Sequence, residues 1–456
     1  MTQADRALHS YIISSRSRFE HMLAQLVEVP SISSDPAHHQ DLRHTATLAA
    51  EYLRAWGAEA CLVETKGAPV VSGGWTISHR YPTVTIYNHL DVQPADEPEW
   101  RHPPFSFRKD GLRYIGRGTT DDKGPAMTAL FAAKFAVDEG VPLNIRFVWE
   151  LEEEIGSPHF SDALSIRRHV PKPDSVLVSD TIWVSRDRPA ISCGLRGLLA
   201  VNLWLRTGET DVHSGLTGGG ARNPLTELCA IAAACVDART GRVKIPGFYD
   251  AVVPPTSREM RNFLASGFQV QRFQRAFKLR SLRTRNRAKL LTRIWTDPTF
   301  EVHGLVGGYT GPGVKTIVPA WGQLKASMRL VPDQHPRHIL RLLRQFIARI
   351  NPDVRIEPQG ALEPFRGLVD GPFIDALRRA ARMGFGKPPV LIREGGSIGA
   401  IPVMHRAWKV PIVFMGLSLP EHGYHAPNEY FDWGQVSGGI RTFVHYFREL
   451  ATINDD

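Results

Sequence analysis

The first half of the chain alternates short apolar runs with segments of helical periodicity. Runs rich in β-branched and aromatic residues, typical of buried strands, occur at 83–92 (TVTIYNHLDV), 144–154 (NIRFVWELEEE) and 174–180 (DSVLVSD). Between the first two, GPAMTALFAAKFAVDEG repeats apolar residues at helical spacing and closes at Gly140. Strands that alternate with helices predict an α/β fold, with a mainly parallel sheet and helices on both faces.

The pattern changes beyond about residue 190. LLAVNLWLRTGETDVHSG and GQLKASMRLVPDQHPRHILRLLRQFIARI predict strands of an antiparallel sheet, the second followed by a strongly amphipathic helix. From about residue 370, DGPFIDALRRAARMGFGKPPVLIREGGS and VPIVFMGLSLPEHGYHAPNEYF return to the helix-then-strand order. We therefore expect one α/β domain, formed by residues 1–191 and 370–456, that is interrupted by an inserted α+β domain at 192–369.

Composition indicates how many cores the chain forms and in which compartment it is found. A chain of 456 residues is too long for one ordinary core, and 43% hydrophobic with 22% charged residues is typical of a globular protein. No apolar run approaches the roughly 18 residues of a membrane span, and charges interrupt the N-terminal segment, so we expect neither a membrane anchor nor a secretion signal. Four scattered cysteines fit neither a disulfide framework nor a zinc knuckle. The cytoplasm is the expected compartment.

The net charge of +9 has one local source. The segment 272–293 (RFQRAFKLRSLRTRNRAKLLTR) carries nine basic residues and no acid, so it accounts for the whole excess. Its apolar residues recur near helical spacing, which predicts a helix with a solvated basic face. An acidic partner surface is the alternative. Nucleic-acid binding would require a recognisable module, and the segment contains none, so no nucleic-acid partner is expected.

Acids and a histidine follow the predicted strands of the first half. Ligands bind at the carboxyl ends of the strands in such sheets. A lone histidine there is usually structural, and a glutamate triplet is usually a solvated face. Like charges that converge on one edge repel each other and lose solvation, however, so they need a compensating cation. The residues brought to this edge are His89, Asp91, Glu152, Glu153, Glu154 and Asp180.

The doublet Asp121–Asp122 in GRGTTDDKGP (116–125) places two like charges in a glycine-flanked turn. One carboxylate that bridges two divalent metals, which lie about 3.5–4 Å apart in such sites, explains the crowding. The glycines let the backbone pass close to the site. Oxygen and imidazole donors without thiolates favour two zinc ions, with manganese or cobalt as competitors.

Eight ordered motifs carry a family resemblance. NHLDV, GRGTTDDKG, EEEIGS, VSD, DVHSG, SMRLVP, REGGS and GYHAPNE closely resemble the dinuclear zinc dipeptidases of the carnosinase and cytosolic nonspecific dipeptidase type. These dipeptidases belong to a wider family with acetylornithine deacetylase, succinyl-diaminopimelate desuccinylase and aminoacylase. The resemblance spans roughly residues 15–450. It implies that the α/β domain is catalytic and that the inserted domain serves as a lid and for dimerisation.

The resemblance also implies roles at the metal centre. Glu153 would be the general base, which takes a proton from the attacking water. Glu152 would be solvated or structural. His422 is not expected to be a ligand, because the ligand is the histidine that precedes the NE pair. The implied ligands are His89 and Asp180 for one metal, Asp121 as the bridge, and Glu154 and His425 for the second metal.

Two further features belong to the same centre. Asp91, two residues after His89, is placed to hold that imidazole in one tautomer, as carboxylates near metal-bound histidines commonly do. A strand-end cap is its alternative role. The resemblance implies that the peptide between Asp121 and Asp122 is cis.

The inserted domain is expected to complete the site. By resemblance, His213 in DVHSG reaches across a homodimer interface to stabilise the oxyanion in the partner's site. Arg329 and Thr316 would engage the substrate's terminal carboxylate or carbonyl, with Ser397 of REGGS serving the same end. A surface ion pair is the ordinary alternative for Arg329. The family motif runs from REGGS directly into an IP turn, whereas REGGSIGAIPV interposes Gly399 and Ala400 here, a departure that affects the pocket expected around the substrate's C-terminal end.

Together these features predict a metal-dependent exopeptidase that cleaves dipeptides or short peptides with a free C-terminal carboxylate. An N-acyl amino acid deacylase, similar to acetylornithine deacetylase, would use the same dimetal centre and is the alternative. A catalytically inactive binding protein is the third hypothesis. It predicts the loss of the base or a ligand, yet Glu153 and all five implied ligands are present.

Overall fold

A computed structural model of the chain describes residues 2–453. Its strands are β1 (Glu59–Val63), β2 (Val70–Trp75), β3 (Thr83–His89), β4 (Arg108–Asp110), β5 (Arg113–Ile115), β6 (Asn144–Glu150), β7 (Ser175–Val178), β8 (Ala190–Leu195), β9 (Gly197–Arg206), β10 (Val212–His213), β11 (Glu301–Gly307), β12 (Ile317–Val318), β13 (Trp321–Leu330), β14 (Arg355–Leu362), β15 (Phe365–Arg366), β16 (Val390–Glu394), β17 (Ile412–Phe414) and β18 (Tyr430–Asp432).

The helices pack against these strands in several layers. They are α1 (Gln3–Val27), α2 (His39–Ala55), α3 (Lys123–Asp138), α4 (Phe160–Ser165), α5 (Ser214–Thr217), α6 (Pro224–Cys235), α7 (Ser257–Ala265), α8 (Val270–Ala276), α9 (Arg287–Trp295), α10 (Pro336–Ile350), α11 (Pro372–Phe385), α12 (Ala400–Trp408) and α13 (Trp433–Leu450). Short 3₁₀ turns occur at Pro36–His38, Glu153–Ile155 and Pro420–His422.

A six-stranded sheet in the order β1-β2-β6-β3-β7-β17 forms the centre of the fold. The strands β6, β3, β7 and β17 are mutually parallel, and β1 and β2 form an antiparallel ribbon at one edge. The ribbon is antiparallel because residues 64–69, which join β1 to β2, are too few for a crossover connection. The predicted α/β fold is therefore confirmed, with a mixed sheet at its centre.

Alternate side chains of the central strands enter two separate cores. In β3, Ile86 packs with residues of α1, α2, α3 and α13 on one face. The next residue, Tyr87, packs with residues of α4 and α12 on the other face. In β7, Leu177 and Val178 divide in the same way. Because successive side chains of a strand point to opposite faces, these strands are buried on both sides.

A second, fully antiparallel sheet in the order β11-β13-β9-β14 has its own core. Strand β9 alternates buried and half-buried residues along its whole length, so only one face of the sheet is covered. Helix α10 lies on the covered face, with Ile339, Leu343 and Ile347 buried at helical spacing. The strands and the amphipathic helix predicted here are present. The domain boundaries themselves remain a prediction.

The basic segment 272–293 does not form the single helix that its pattern suggested. Helix α8 ends at Ala276, and Lys278 adopts a left-handed φ of 51°, which an α-helix does not accommodate. The second helix, α9, starts afresh from Asn286, whose side chain accepts a hydrogen bond from the amide of Lys289. The prediction of one continuous helix was therefore wrong, and residues 277–286 form a connecting segment.

The helices around this segment pack on the first core. Phe263 of α7 and Leu291 and Trp295 of α9 are buried in the same cluster as the helices on the first face of the central sheet. Arg393 at the end of β16 forms an ion pair with Glu259 of α7. Within residues 2–453, no helix is long and apolar enough to cross a membrane.

Candidate metal centre

The carboxyl ends of three neighbouring parallel strands meet at one edge of the central sheet. Strand β3 ends at His89, which pairs in register with Glu150 at the end of β6. Strand β7 ends at Val178, two residues before Asp180. The parallel register therefore brings the histidine and the acids that follow these strands to a single place, as the sequence pattern predicted.

Glu429 accepts several hydrogen bonds from the turn that carries the aspartate doublet. Its Oε1 accepts hydrogen bonds from the amides of Thr120 at 2.9 Å and Asp121 at 3.1 Å. Its Oε2 accepts from the amide of Gly118 at 3.1 Å and from Arg117 Nη1 at 2.9 Å. Both Glu429 and Arg117 are buried. The turn is thus fixed by a buried ion pair and three main-chain hydrogen bonds.

A glycine is required at one position of this turn. Gly118 has a φ of +85°, and a Cβ atom there would lie 2.6 Å from Val92 Cγ1. The backbone therefore passes close to the end of β3, as the glycines in the motif suggested. The peptide between Asp121 and Asp122 is cis, as the resemblance implied.

The carboxylate of Asp121 lies between two imidazoles. Its Oδ1 is 3.0 Å from His89 Nε2, and its Oδ2 is 2.9 Å from His425 Nε2. On either side, Asp180 Oδ2 is 3.9 Å from His89 Nε2, and Glu154 Oε2 is 3.2 Å from His425 Nε2. Asp121 thus has a histidine and a second acid at each end of its carboxylate, a geometry that suits a bridge between two cations.

The clustered charge is strongly unbalanced. Burial raises the pKa of Glu153 well above its ordinary value, and His89 offsets this only in part. Burial likewise raises the pKa of Asp180 and of Glu154. Burial opposes protonation of His89, yet hydrogen bonds to Asp121 and Asp91 outweigh it and raise the pKa of that imidazole. Two imidazoles thus face six carboxylates, those of Asp91, Asp121, Asp122, Glu153, Glu154 and Asp180.

The residues present fit a pair of divalent cations. Two further carboxylate oxygens, Asp122 Oδ1 and Glu154 Oε1, are buried without a hydrogen-bond partner among residues 2–453. Two groups of side chains that could hold an ion share His89. One adds Asp121 and Glu154, and the other adds Asp122 and Asp180. Unpartnered buried carboxylates with imidazole nitrogens are the donor set expected around zinc or manganese.

Asp122 also belongs to the acid cluster, in one candidate group with His89 and Asp180. Its Oδ2 accepts a hydrogen bond of 2.6 Å from Asn88 Nδ2, and the side chain is buried. Burial raises the pKa of Asp122 well above its ordinary value, and the charge of Asp180 reinforces the shift. Asn88 precedes the histidine in NHLDV and restrains this second carboxylate.

Asp91 contacts both His89 and the glutamate turn. His89 Nδ1 lies 3.0 Å from the main-chain oxygen of Asp91 and 3.4 Å from its carboxylate. That carboxylate accepts the amides of Glu153 at 3.2 Å and Glu154 at 3.0 Å. The sequence predicted either a contact with the imidazole or a strand-end cap for Asp91. The structure adds that its carboxylate sets the position of the turn bearing Glu153.

Two polar side chains escaped the sequence analysis. Tyr424 donates a hydrogen bond of 2.7 Å to Asp180 Oδ1, and Gln93 Nε2 donates one of 2.7 Å to Glu154 Oε2. Gln93 follows Asp91 by two residues and so points to the same side of the extended chain, which is the signal that could have found it. Tyr424 immediately precedes His425 within the quoted motif.

Glu152 and His422 both have structural contacts. Glu152 is buried, accepts the amide of Ala68 at 3.1 Å and lies 2.9 Å from His159 Nδ1, so it is a structural residue and not a solvated one. His422 is buried between Thr120 Oγ1 at 2.9 Å and Asp432 at 3.1 Å. It therefore supports the turn beside Asp121 from the far side. His425, in contrast, is half exposed and has a left-handed φ of 54°.

The remaining predicted residues form two separate pairs. Arg329 Nη1 donates a hydrogen bond of 2.9 Å to Ser397 Oγ, so the structure brings these two together. His213 and Thr316 are exposed neighbours on the β10–β12 ribbon, where Ser214 N donates to Thr316 O at 3.0 Å. The contacts described for residues 2–453 do not join His213 or Thr316 to the acid cluster.

Fold and site together define a hydrolase with a candidate dinuclear metal centre. The chain belongs to Peptidase family M20/M25/M40, whose model matches residues 85–449. The resemblance stated from the sequence motifs is thereby confirmed.

Several known proteins are similar along their whole length. The Beta-Ala-His dipeptidase of Rattus norvegicus is 27% identical over 98% of this chain and 96% of its own. The solved structure of the di-peptidase Dug1p from Saccharomyces cerevisiae superposes with a TM-score of 0.88 at 25% identity and covers 99% of both chains. The metallo-carboxypeptidase Sso-CP2 from Sulfolobus solfataricus is 31% identical, covers 95% of this chain and 99% of its own, and has a TM-score of 0.88.

Proposed function

We propose that this protein hydrolyses the amide bond of dipeptides or short peptides that have a free C-terminal carboxylate. The Asp121 carboxylate between two imidazoles, each beside a further acid, is the observation that carries the proposal. The named dipeptidases among the similar proteins support the choice of substrate.

The metal ligands in this proposal are those of the sequence analysis. His89 and Asp180 would hold one cation, Asp121 would bridge, and Glu154 and His425 would hold the other, with zinc as the expected metal and manganese or cobalt as alternatives. When bound, two such cations supply Lewis-acid polarisation of the amide carbonyl and of water. Asp122 is proposed as a supporting residue that Asn88 restrains through its Oδ2.

Glu153 is the proposed general base. It lies in the same turn as Glu154, and the carboxylate of Asp91 holds the amides of both residues. Its carboxylate would accept a proton from the attacking water and return it to the leaving amine. A raised pKa suits this exchange, because the same group must hold a proton in one step and release it in the other.

Arg329 and Ser397 are proposed to bind the substrate's C-terminal carboxylate. The guanidinium is half buried and donates only to a hydroxyl, so it keeps donors for a planar anion. Thr316 would contact the substrate's carbonyl or carboxylate from a second chain together with His213. A free carboxylate at the end of the substrate is therefore a requirement of the proposal.

We also propose a homodimer in which His213 serves the site of the partner. Strand β11 lies at an open edge of its sheet, and its Val302, Leu305 and Val306 are each more than 40% exposed. An open apolar edge is suited to pairing with a second copy. The four cysteines are unpaired, which supports the cytoplasm as the compartment.

Hydrolysis of a substrate panel tests the proposed reaction. The purified protein, supplied with zinc or manganese, should cleave unblocked dipeptides but neither their C-terminally amidated forms nor N-acetyl amino acids. Cleavage of N-acetyl amino acids instead would move the protein to the deacylases. Cleavage of amidated dipeptides would contradict the proposal that Arg329 binds the substrate's C-terminal carboxylate.

A mixing experiment tests the shared site. Glu153→Gln and His213→Ala should each be inactive alone. Co-refolded or subunit-exchanged mixtures should regain activity, because a chain with an intact Glu153 then receives His213 from its partner. Mixtures that stay inactive although mixed dimers have formed would contradict action between chains.

A further inference from the structure

A large cavity adjoins the proposed carboxylate site. It has a volume of about 910 Å³ and is lined by Arg196 between β8 and β9, the start of β11, β13, the turn at 240–242 and the segment 279–294. That segment includes most of the basic stretch that gives the chain its excess charge. No residue of this basic stretch takes part in the proposed reaction.

The lining of the cavity is strongly cationic. Five of the lining residues are arginines, and only two, Asp297 and Glu301, are carboxylates. Among residues 2–453, no carboxylate oxygen lies within salt-bridge distance of any of the five. The arginines are Arg196, Arg242, Arg283, Arg293 and Arg329.

The contacts of these arginines leave most of their donors unused. Arg196 donates to the main-chain oxygens of Gly395 and Asp297 at 3.3 and 3.4 Å, both long hydrogen bonds. Arg283 donates to the oxygen of Ala238 at 2.7 Å, and the guanidinium of Arg242 lies 4.7 Å above the ring of Tyr249. By contrast Arg272, in the same basic stretch, pairs with Asp187 at 2.5 Å.

The surroundings of Arg196 disfavour its positive charge. Burial, together with the neighbouring charge of Arg329, lowers its pKa to about 10, and the carboxylates of Glu301 and Asp297 oppose this shift only in part. Two neighbouring guanidinium groups that make no direct ion pair are stabilised by an anion that binds beside them. The geometry of the cavity and its charge therefore indicate an anionic ligand.

The loop 393–397 connects this cavity to the acid cluster. Glu394 Oε1 accepts the amide of Ile182 at 2.7 Å, two residues beyond Asp180. At the other end of the loop, Ser397 Oγ contacts Arg329, and the amide of Arg196 donates to the oxygen of Gly396 at 3.0 Å. A substrate whose C-terminal carboxylate meets Arg329 would therefore place the side chain of that same residue at the mouth of the cavity.

We propose that this cavity selects peptides whose C-terminal residue carries an acidic side chain, aspartate or glutamate, through Arg196, Arg283 and Arg293. The proposal rests on the proposed peptidase function and names its substrate class. Neutral side chains would enter the same space without satisfying the unpaired guanidinium groups. The preference is electrostatic, so it should weaken as ionic strength rises.

Paired substrates of equal shape test the proposal. We expect kcat/KM for Ala-Glu to exceed that for Ala-Gln by about tenfold or more, as one additional charge-assisted contact would give. Arg283→Gln and Arg293→Gln should each reduce this ratio severalfold. Arg285→Gln is the matched control, because Arg285 belongs to the same basic stretch but lines a different cavity, and the ratio should not change.

Binding without turnover provides a second readout. In the Glu153→Gln variant, calorimetric titration should show tighter binding of Ala-Glu than of Ala-Gln, and Arg293→Gln should reduce the difference. Equal kcat/KM and equal binding for the two peptides would overturn the acidic preference and leave the peptidase function standing. Failure to hydrolyse either peptide, or any neutral dipeptide, would overturn both.

Discussion

Replacing Glu429 by glutamine should loosen the turn that carries Asp121. The carboxylate of Glu429 accepts four hydrogen bonds, two on each oxygen, and all four partners are donors. In glutamine, the amide nitrogen must face two of these donors whichever way the side chain is placed. Either the amides of Thr120 and Asp121 or the pair Gly118 N and Arg117 Nη1 would lose its acceptor.

The expected cost follows from those losses. A buried donor left without a partner costs about 1–3 kcal/mol, and breaking a buried ion pair from one side costs about 3–5 kcal/mol. Because the two effects overlap at Arg117, we expect Glu429→Gln to lower the free energy of unfolding by about 3–5 kcal/mol. The displaced Asp121 carboxylate should also weaken metal binding, because it faces both histidines.

Urea unfolding and metal content measure the two effects together. Glu421→Gln is the control, because Glu421 forms an ion pair with Arg186 in which both side chains are more than 40% exposed, and such pairs contribute about 0–1 kcal/mol. A Glu429→Gln protein that loses less than about 1 kcal/mol and binds both metals normally would refute the account of the turn.

Three further predictions concern the surroundings of the site. Asp91→Asn should reduce metal affinity and kcat by about 10–100-fold, because asparagine offers one accepting oxygen to the amides of Glu153 and Glu154; chelator competition and kinetics measure this, and wild-type values would contradict it. Burial raises the pKa of Glu394 from its ordinary value of 4.5 to about 8. The protonated carboxyl therefore contributes stability that is fully present below pH 4.5 and is lost as the pH rises through about 8. Glu394→Gln should therefore flatten the fall of the urea midpoint across that range, whereas an unchanged slope would contradict the assignment. Removing divalent metals with a chelator should abolish turnover and lower the melting temperature by several degrees, both restored by zinc or manganese; full stability without metal would show that the clustered acids need no cation.

Much of the central fold was predictable because its strands are buried on both faces. Continuous apolar runs such as TVTIY and SVLV are typical of such strands, and their acidic ends mark the edge where ligands bind. The ribbon of β1 and β2 was not predicted. Its strand β2, VVSGGW, contains two glycines and a serine, so local propensity is weak and the pairing with β6 determines the strand.

The basic segment shows where periodicity misleads. Leu290 and Leu291 are buried in α9, but Phe277 and Leu279 are at least 40% exposed in the connecting segment. Near-helical spacing of apolar residues therefore arose from two short helices and the segment that connects them. Residues 277–286 contain no glycine or proline, so the sequence does not indicate the break at Lys278.

The candidate site also contains residues that the sequence predicts and residues that only the structure reveals. Residues that lie at strand ends or in short motifs could be predicted from the sequence, and the structure brings the acids and two histidines among them together. The role of Glu429 could not, because a buried glutamate that accepts main-chain amides has no sequence signature beyond an acid beside apolar residues. The association of Arg329 with Ser397 and the arginine cavity depends on contacts between segments far apart in the chain.

The most direct test of the central claim combines turnover and metal content in Glu153→Gln. The account predicts that the variant binds two divalent ions per chain, as the wild type does, while hydrolysis of unblocked dipeptides falls by about 10²–10⁴-fold, the contribution expected of a general base. Glu152→Gln, in the same turn but bonded to Ala68 and His159, is the control and should retain turnover. Near-normal turnover by Glu153→Gln, or fewer than two metal ions in the wild-type protein under conditions that support turnover, would contradict the claim.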